Sequence, residues 1–323
     1  MESTRRGFLK TGLVGASATA VGTGALLADT GSAAAVNTIP AARGAVPFYG
    51  THQSGIATPA QNFLQFAAFD IKSDSRSKLR TLMRTWSHAA ALLTMGRPVG
   101  AMETGTHPPA DTGEAVGHGP SDLTITFGFG PTLFSSAGKD RFGLAKHRPA
   151  PLVDLPAFVG DDLQSELGGG DICIQACAND PQVAFHAVHD LIKLGMTIAQ
   201  PLWLLAGFGR TGNSKHQELP RNLMGFQDGT ENIMAEEKEE LARFVWAGEP
   251  GSPAWMRGGS YLVARRIEIA LGLWDATGLT AQEQSIGREK LSGKMLPQVP
   301  PTAHIALTSP KSNGGQRDRK SVV

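Results

Sequence analysis

Two stretches of this chain carry apolar residues at helical spacing, and strand-like stretches flank each. That order constrains the fold more than any other feature. Asn62 to Ile71 is a dense apolar run that reads as a buried strand. Leu79, Leu82, Met83, Trp86, Ala90 and Leu93 then recur on one helical face, behind a cap at Ser73 or Asp74 and ahead of a stop at Gly96 and Pro98. His88 falls opposite that face and is expected in solvent. Leu123, Ile125, Phe127 and Phe129 alternate with Thr124, Thr126 and Gly128, as a half-buried strand does. The set then repeats. Asp171 to Ala178 is a strand. Pro181 opens a helix capped by Asn179 or Asp180, with inner face Ala184, Ala187, Val188, Leu191 and Ile192, and Leu202 to Phe208 is a further strand. Strand, helix, strand, taken twice, is the split βαβ arrangement: an α+β unit with an antiparallel sheet and helices on one face.

The residues left over carry fewer constraints. Arg97 to Pro120 is a long loop rich in glycine and proline, of the kind that tends to be functional. Lys139 to Gly170 reads as irregular. Gln182, His186, His189, Asp190 and Lys193 line the outer side of the second helix; two histidines three apart could hold a metal, but a solvated face is the expectation. Cys173 and Cys177 share one face of a strand about 13 Å apart, at roughly 3.3 Å per residue. A disulfide needs Cα atoms within about 7 Å, so these two are expected as free thiols. His52 sits among turn formers and is expected to be solvated or capping. Gly207, Gly209 and Gly212 match a dinucleotide-binding pattern, but no helix starts there, because Asn213 to Pro220 is polar and ends in proline. With 30 basic and 29 acidic side chains the net charge is +1, which gives no electrostatic case for binding nucleic acid.

The N-terminus reads as an export signal over residues 1–35. Arg5 and Arg6 precede Phe8, Leu9 and Lys10, an apolar run rich in glycine and alanine follows, and Ala33, Ala34 and Ala35 offer a cleavage site. The pattern resembles a twin-arginine signal, whose cargo folds before export. The many Gly, Ser and Thr residues make the run a poor membrane span, so no stable anchor is expected.

Pro220 to Asn232 reads Pro-Arg-Asn-Leu-Met-Gly-Phe-Gln-Asp-Gly-Thr-Glu-Asn and places Asp228 between Gly225 and Gly229. An Asp-Gly pair marks a tight turn, and glycines at both ends let backbone approach a flat or bulky group closely. Beyond it the expectation is a helix start at Ala235 to Glu240, a strand at Ser260 to Ala270, and a helix over Leu271 to Leu291 interrupted by Gly278. A second unit therefore starts like the first, at about residue 216, and stops after one strand–helix pair.

Taken together, Phe48-Tyr49-Gly50 with His52-Gln53, Phe127 to Gly130, Asp171 to Val188, Gly207 to Thr211, Pro220 to Gly229, Gly258 to Ile267 and Ala303-His304-Ile305 make the chain resemble the dye-decolourising (DyP-type) haem peroxidases, in their Tat-exported deferrochelatase/peroxidase branch. The resemblance implies two ferredoxin-like units of the dimeric α+β barrel type, 36–215 and 216–323, the second incomplete. It implies one haem b in the second unit. Asp228 becomes the catalytic distal carboxylate and His304 the ligand of the haem iron. Gly229, Thr230 and Glu231 line the haem. The family's Asn-Pro-Arg falls on Ser309, Pro310 and Lys311, so two of those three positions depart; lysine lacks arginine's planar fork for a propionate. The family's distal arginine would lie beyond the last residue, which suggests a truncated C-terminal unit. The implied function is reduction of hydrogen peroxide with oxidation of bulky, dye-like reductants, tied to iron release from haem and an envelope iron-uptake system. The implied location is the periplasm, the cell envelope or outside the cell. Homo-oligomerisation stays open. The alternative readings are a non-enzymatic envelope haem- or iron-binding protein and an inactive truncated fragment.

Overall fold

The computed structural model describes residues 42–303, apart from 103–104, 157, 159–160, 210–211, 230–231 and 249. Four strands, β1 (Phe63–Ile71), β2 (Thr124–Phe129), β3 (Ile172–Ala178) and β4 (Ala199–Phe208), form one sheet in the order β2-β3-β1-β4, with every neighbouring pair antiparallel. Helices α1 (Arg76–Leu93) and α3 (Pro181–Gly195) pack on one face of it. A short α2 (Pro131–Phe134) follows β2. The first split βαβ unit is thus as expected from the two apolar periods.

The register explains the core. Ala67, Phe69, Ile125, Phe127, Ile172, Ile174 and Ala176 point to the helices and are buried with Leu82, Trp86, Ala90, Ala184, Ala187 and Leu191. Trp86 is the centre of this layer. It is fully buried, donates its Nε1–H to Leu191 O at 2.7 Å, and stacks on Phe127 at 5.9 Å with the rings 7° apart. The ring needs Gly195 opposite it: a Cβ there would sit 2.8 Å from the indole. His88 is exposed, as expected.

Local details depart from the expectations for identifiable reasons. Ser75 caps α1, accepting from Lys78 N, because Asp74 is drawn away by Lys139 at 2.8 Å and Arg141 at 3.0 Å, while the Ser73 hydroxyl accepts from Ser75 N. Asp180 caps α3, accepting from Gln182 N at 2.7 Å and Val183 N at 3.2 Å. β4 starts at Ala199, ahead of Leu202; Pro201 is tolerated on this edge strand, and a bulge at Leu202 absorbs the shift between Ala68 opposite Trp203 and Phe69 opposite Pro201. Arg141 ties the sheet end to its connections, donating to Asp171 at 2.9 Å and to Ile71 O.

The outer face of α3 overturns an expectation. His186 and Asp190 are not solvated: they are 5 % and 0 % exposed. Loop residues 109–114 lie over them, held by Lys193 to Ala110 O at 3.2 Å, Gln182 to Glu114 O at 2.6 Å, and Thr112 N to Asp190 Oδ1 at 3.0 Å. Helical periodicity alone does not reveal a cover supplied by a distant loop.

On the opposite face of the sheet lie Leu64, Phe66, Thr124, Thr126, Cys173, Gln175, Cys177, Trp203 and Leu205. Residues 53–61 cover part of it. Gln53 bonds the Phe127 backbone both ways, at 3.0 and 2.9 Å, so its amide mimics one more strand residue on β2. Thr126 donates to Ser54 O at 2.7 Å, and Gly55, at φ +95°, comes so close to Thr126 that a side chain would collide with it. Cys173 and Cys177 are both free thiols, and burial pushes each up to about 11. We expect Ellman's reagent at pH 8 to titrate both thiols only after denaturation. The raised folded value also means stability is fully present below the unfolded thiol value, near 9, and falls as pH rises through 11. Rapid reaction of either thiol in the native chain would contradict this burial.

The second half begins with α4 (Lys238–Phe244), at the acidic stretch where a helix start was expected. Ser260 to Ala270 is not a strand. It has no ladder among the described residues, and a strand exists only where another backbone satisfies its N–H and C=O groups. The helix expected over Leu271 to Leu291 is two, α5 (Leu271–Asp275) and α6 (Leu279–Ile286). Gly278 marks the break between them. Gly287 at φ +91° ends the second, a left-handed stop that precedes Leu291. No helix among the described residues is long and apolar enough to cross a membrane.

Candidate active site

The segment around Asp228 is a rigid double turn. Asn222 Oδ1 accepts from Met224 N at 3.1 Å and Phe226 N at 3.2 Å, while Gly225 N donates to Asn222 O at 2.9 Å. Gly225 and Gly229 take φ of +84° and +76°, a region that side chains with a Cβ avoid. Arg221 and Gln227 bridge, and Asp228 N donates to Pro220 O at 2.9 Å, which closes the loop.

Two side chains bolt this loop to the α5–α6 region. Phe226 is 1 % exposed, edge-on to Trp274 with ring centres 6.0 Å apart, and Lys290 Nζ lies 5.5 Å from its ring centre. Arg221 donates to Gly225 O, Lys290 O and Leu291 O at 2.6–2.9 Å. Asp228 projects from this anchored turn into solvent. Its Oδ1 accepts from Gly229 N at 2.9 Å.

A second brace comes from the N-terminal segment. His52 is neither solvated nor a cap: it stacks on Trp246 at 3.7 Å, with the rings 13° apart, and Nδ1 donates to Gly258 O at 2.7 Å. Gly258, at φ +75°, passes too close to Thr51 O to carry a side chain. This pins the turn that leads into 260–270. Along and just after that stretch Leu262, Ile267 and Leu273 are exposed.

Of the expected site residues, Asp228 and Gly229 occupy the turn just described. Thr230, Glu231, His304, Ser309, Pro310 and Lys311 lie outside the described residues. Ala303, immediately before His304, is fully buried. A shallow cleft lined by Lys146, His147, Arg148, Pro253 and Trp255 contains none of the expected site residues. The bracing residues His52, Arg221 and Phe226 were not assigned from sequence, although the two glycines already marked the turn that carries the last two.

The chain belongs to the Dyp-type peroxidase family. The family's N-terminal model matches residues 53–209 and its C-terminal model residues 219–321. The chain is 36 % identical over 254 residues to the deferrochelatase of Escherichia coli K12, an alignment covering 77 % of this chain and 59 % of that protein. The chain thus spans about three fifths of the length of the curated relatives it matches. Among solved structures, it resembles a DyP-type peroxidase from Cellulomonas bogoriensis (TM-score 0.70, 32 % identity, 83 % of this chain and 76 % of that one). It also resembles ferric DtpA from Streptomyces lividans (TM-score 0.68, 39 % identity, 78 % and 65 %). These neighbours have the α+β barrel architecture of paired ferredoxin-like units.

Proposed function

We propose that this protein is a haem-dependent peroxidase that reduces hydrogen peroxide and oxidises bulky, dye-like organic molecules. The observation that carries this reading is Asp228: an outward carboxylate on a turn that two glycines, Arg221 and Phe226 hold rigid, within the part matched by the family's C-terminal model. The similarity to ferric DtpA supports an iron centre.

The residues present fit a haem. Gly225 and Gly229, both at positive φ, let backbone approach a flat group closely, and the exposed Leu262, Ile267 and Leu273 offer apolar contact to a macrocycle. His304 would hold the iron, Gly229, Thr230 and Glu231 would line the ring, and Ser309, Pro310 and Lys311 would face the propionates. A bound haem, of the b type in our reading, supplies the redox centre. The protein's own contribution is positional and acid–base. Asp228 takes a proton at Oδ2 from one peroxide oxygen and returns it to the other, so that the O–O bond breaks unevenly. The Gly229 N–H on Oδ1 fixes the carboxylate's orientation throughout.

We read residues 36–215 and 216–323 as the two units of the fold and residues 1–35 as a twin-arginine signal that delivers the folded protein to the periplasm, envelope or exterior. The similarity to deferrochelatase supports a link to iron release from haem and to envelope iron uptake. The test is an absorption spectrum of the purified chain titrated with haem, followed by dye and peroxide. A one-to-one Soret band with dye bleaching is expected, and His304→Ala should lose the band. Haem binding without bleaching would instead make the protein a haem carrier. Failure to bind haem at all would overturn the proposal.

A further inference from the structure

The cover over α3 creates a cluster with no part in the peroxidase turn. Asp111, His186 and Asp190 are 2 %, 5 % and 0 % exposed. Their nearest ligand atoms all lie within 4.8 Å of one another. Glu114 fixes the imidazole: its Oε2 is 2.8 Å from His186 Nδ1, and its Oε1 is 2.6 Å from His189 Nδ1. A carboxylate accepts the Nδ1 proton, which leaves the lone pair on Nε2. That lone pair faces Asp190 Oδ2 at 3.4 Å and Asp111 Oδ2 at 3.6 Å. Asp190 Oδ2 is sealed from solvent and has no hydrogen-bond partner. Three electron-rich atoms converging in a dry site repel one another unless a cation or a proton lies between them.

Two of the three ligand spacings suit a small first-row divalent ion. Tetrahedral zinc bonds of about 2.0–2.1 Å place neighbouring ligand atoms about 3.3–3.4 Å apart. The two distances from Nε2 lie at or just above that edge, and both are poor hydrogen bonds. Backbone amides hold the carboxylates in place: Gly113 N donates to Asp111 Oδ1 and Val99 N to Asp111 Oδ2, each at 2.8 Å, and Thr112 N donates to Asp190 Oδ1 at 3.0 Å. We propose that Asp111 Oδ2, His186 Nε2 and Asp190 Oδ2 bind a divalent zinc-type ion, with Glu114 as the orienting carboxylate behind the histidine. Two carboxylates neutralise the ion, and Glu114 on Nδ1 completes the carboxylate–histidine–metal arrangement seen in such centres. The ion staples the long 97–120 loop to α3. The site belongs to the first unit and is independent of haem.

The test is equilibrium dialysis of the full-length chain against zinc chloride, with zinc and iron counted separately by mass spectrometry. One zinc per chain is expected. His186→Gln and Asp190→Asn should each lose it, and Glu114→Gln, which keeps all three ligands, should weaken it by about 10–100-fold. Cobalt loading of the wild-type chain supplies a readout that needs no variant: intense visible bands of a tetrahedral ion are expected. Absence of those bands, or zinc content equal in wild type and Asp190→Asn, would overturn the proposal.

Discussion

Asp228→Asn is expected to slow peroxide-driven dye oxidation by about 10²–10⁴-fold, the usual contribution of a positioned proton carrier. Haem affinity should be unchanged. Asparagine keeps the shape of the side chain, and its amide oxygen still accepts from Gly229 N, so the turn survives. What is lost is the second oxygen's ability to hold a proton between the two halves of peroxide. The measurement is the rate of dye bleaching at saturating dye over a range of peroxide concentrations, normalised to the Soret absorbance. A variant that bleaches dye at the wild-type rate would remove Asp228 from the mechanism and direct attention to the segment beyond Ala303. The contribution of the brace can be separated in the same assay. A defect at Arg221 or Phe226 should appear together with a loosened haem site, whereas a defect at Asp228 should not.

Trp86→Ala should cost about 3–5 kcal/mol, the range for deleting a large buried aromatic side chain. Domains are stable by only about 5–15 kcal/mol, so this loss removes a large part of the total. The ring contacts both helices and the sheet. It leans on Phe69 at 5.1 Å, stacks on Phe127 and donates to Leu191 O, so its removal leaves a cavity and takes one hydrogen bond from a buried carbonyl. Urea titration followed by far-ultraviolet circular dichroism measures the change. A loss under about 1 kcal/mol would mean that the layer between α1 and α3 collapses around the gap.

The first unit was legible because two physical periods do not overlap. Apolar residues three and four apart made α1 and α3 visible, and strict alternation in β2 and β3 fixed which side chains face the helices. The N-cap at Ser75 was not visible, since three candidate cap residues stand in a row and the choice is made by Arg141 and Lys139 from another loop. The buried outer side of α3 was hidden for the same reason: polar residues there pair with Glu114 and Asp111, which the sequence places far away. The 260–270 segment has strand composition, yet composition supplies no partner strand. At the candidate site the glycines around Asp228 revealed a close-approach turn directly, while Phe226 and Arg221 act through contacts near Trp274 and Lys290 that no local pattern encodes.

The fit between Trp86 and Gly195 has an evolutionary consequence. Indole and glycine there form a single character shared by two helices, so drift at one position is closed off while the other stays fixed. Lineages that shrink the aromatic gain freedom to add a methyl group on the opposite helix, and only in that order can the pair change without passing through a clash.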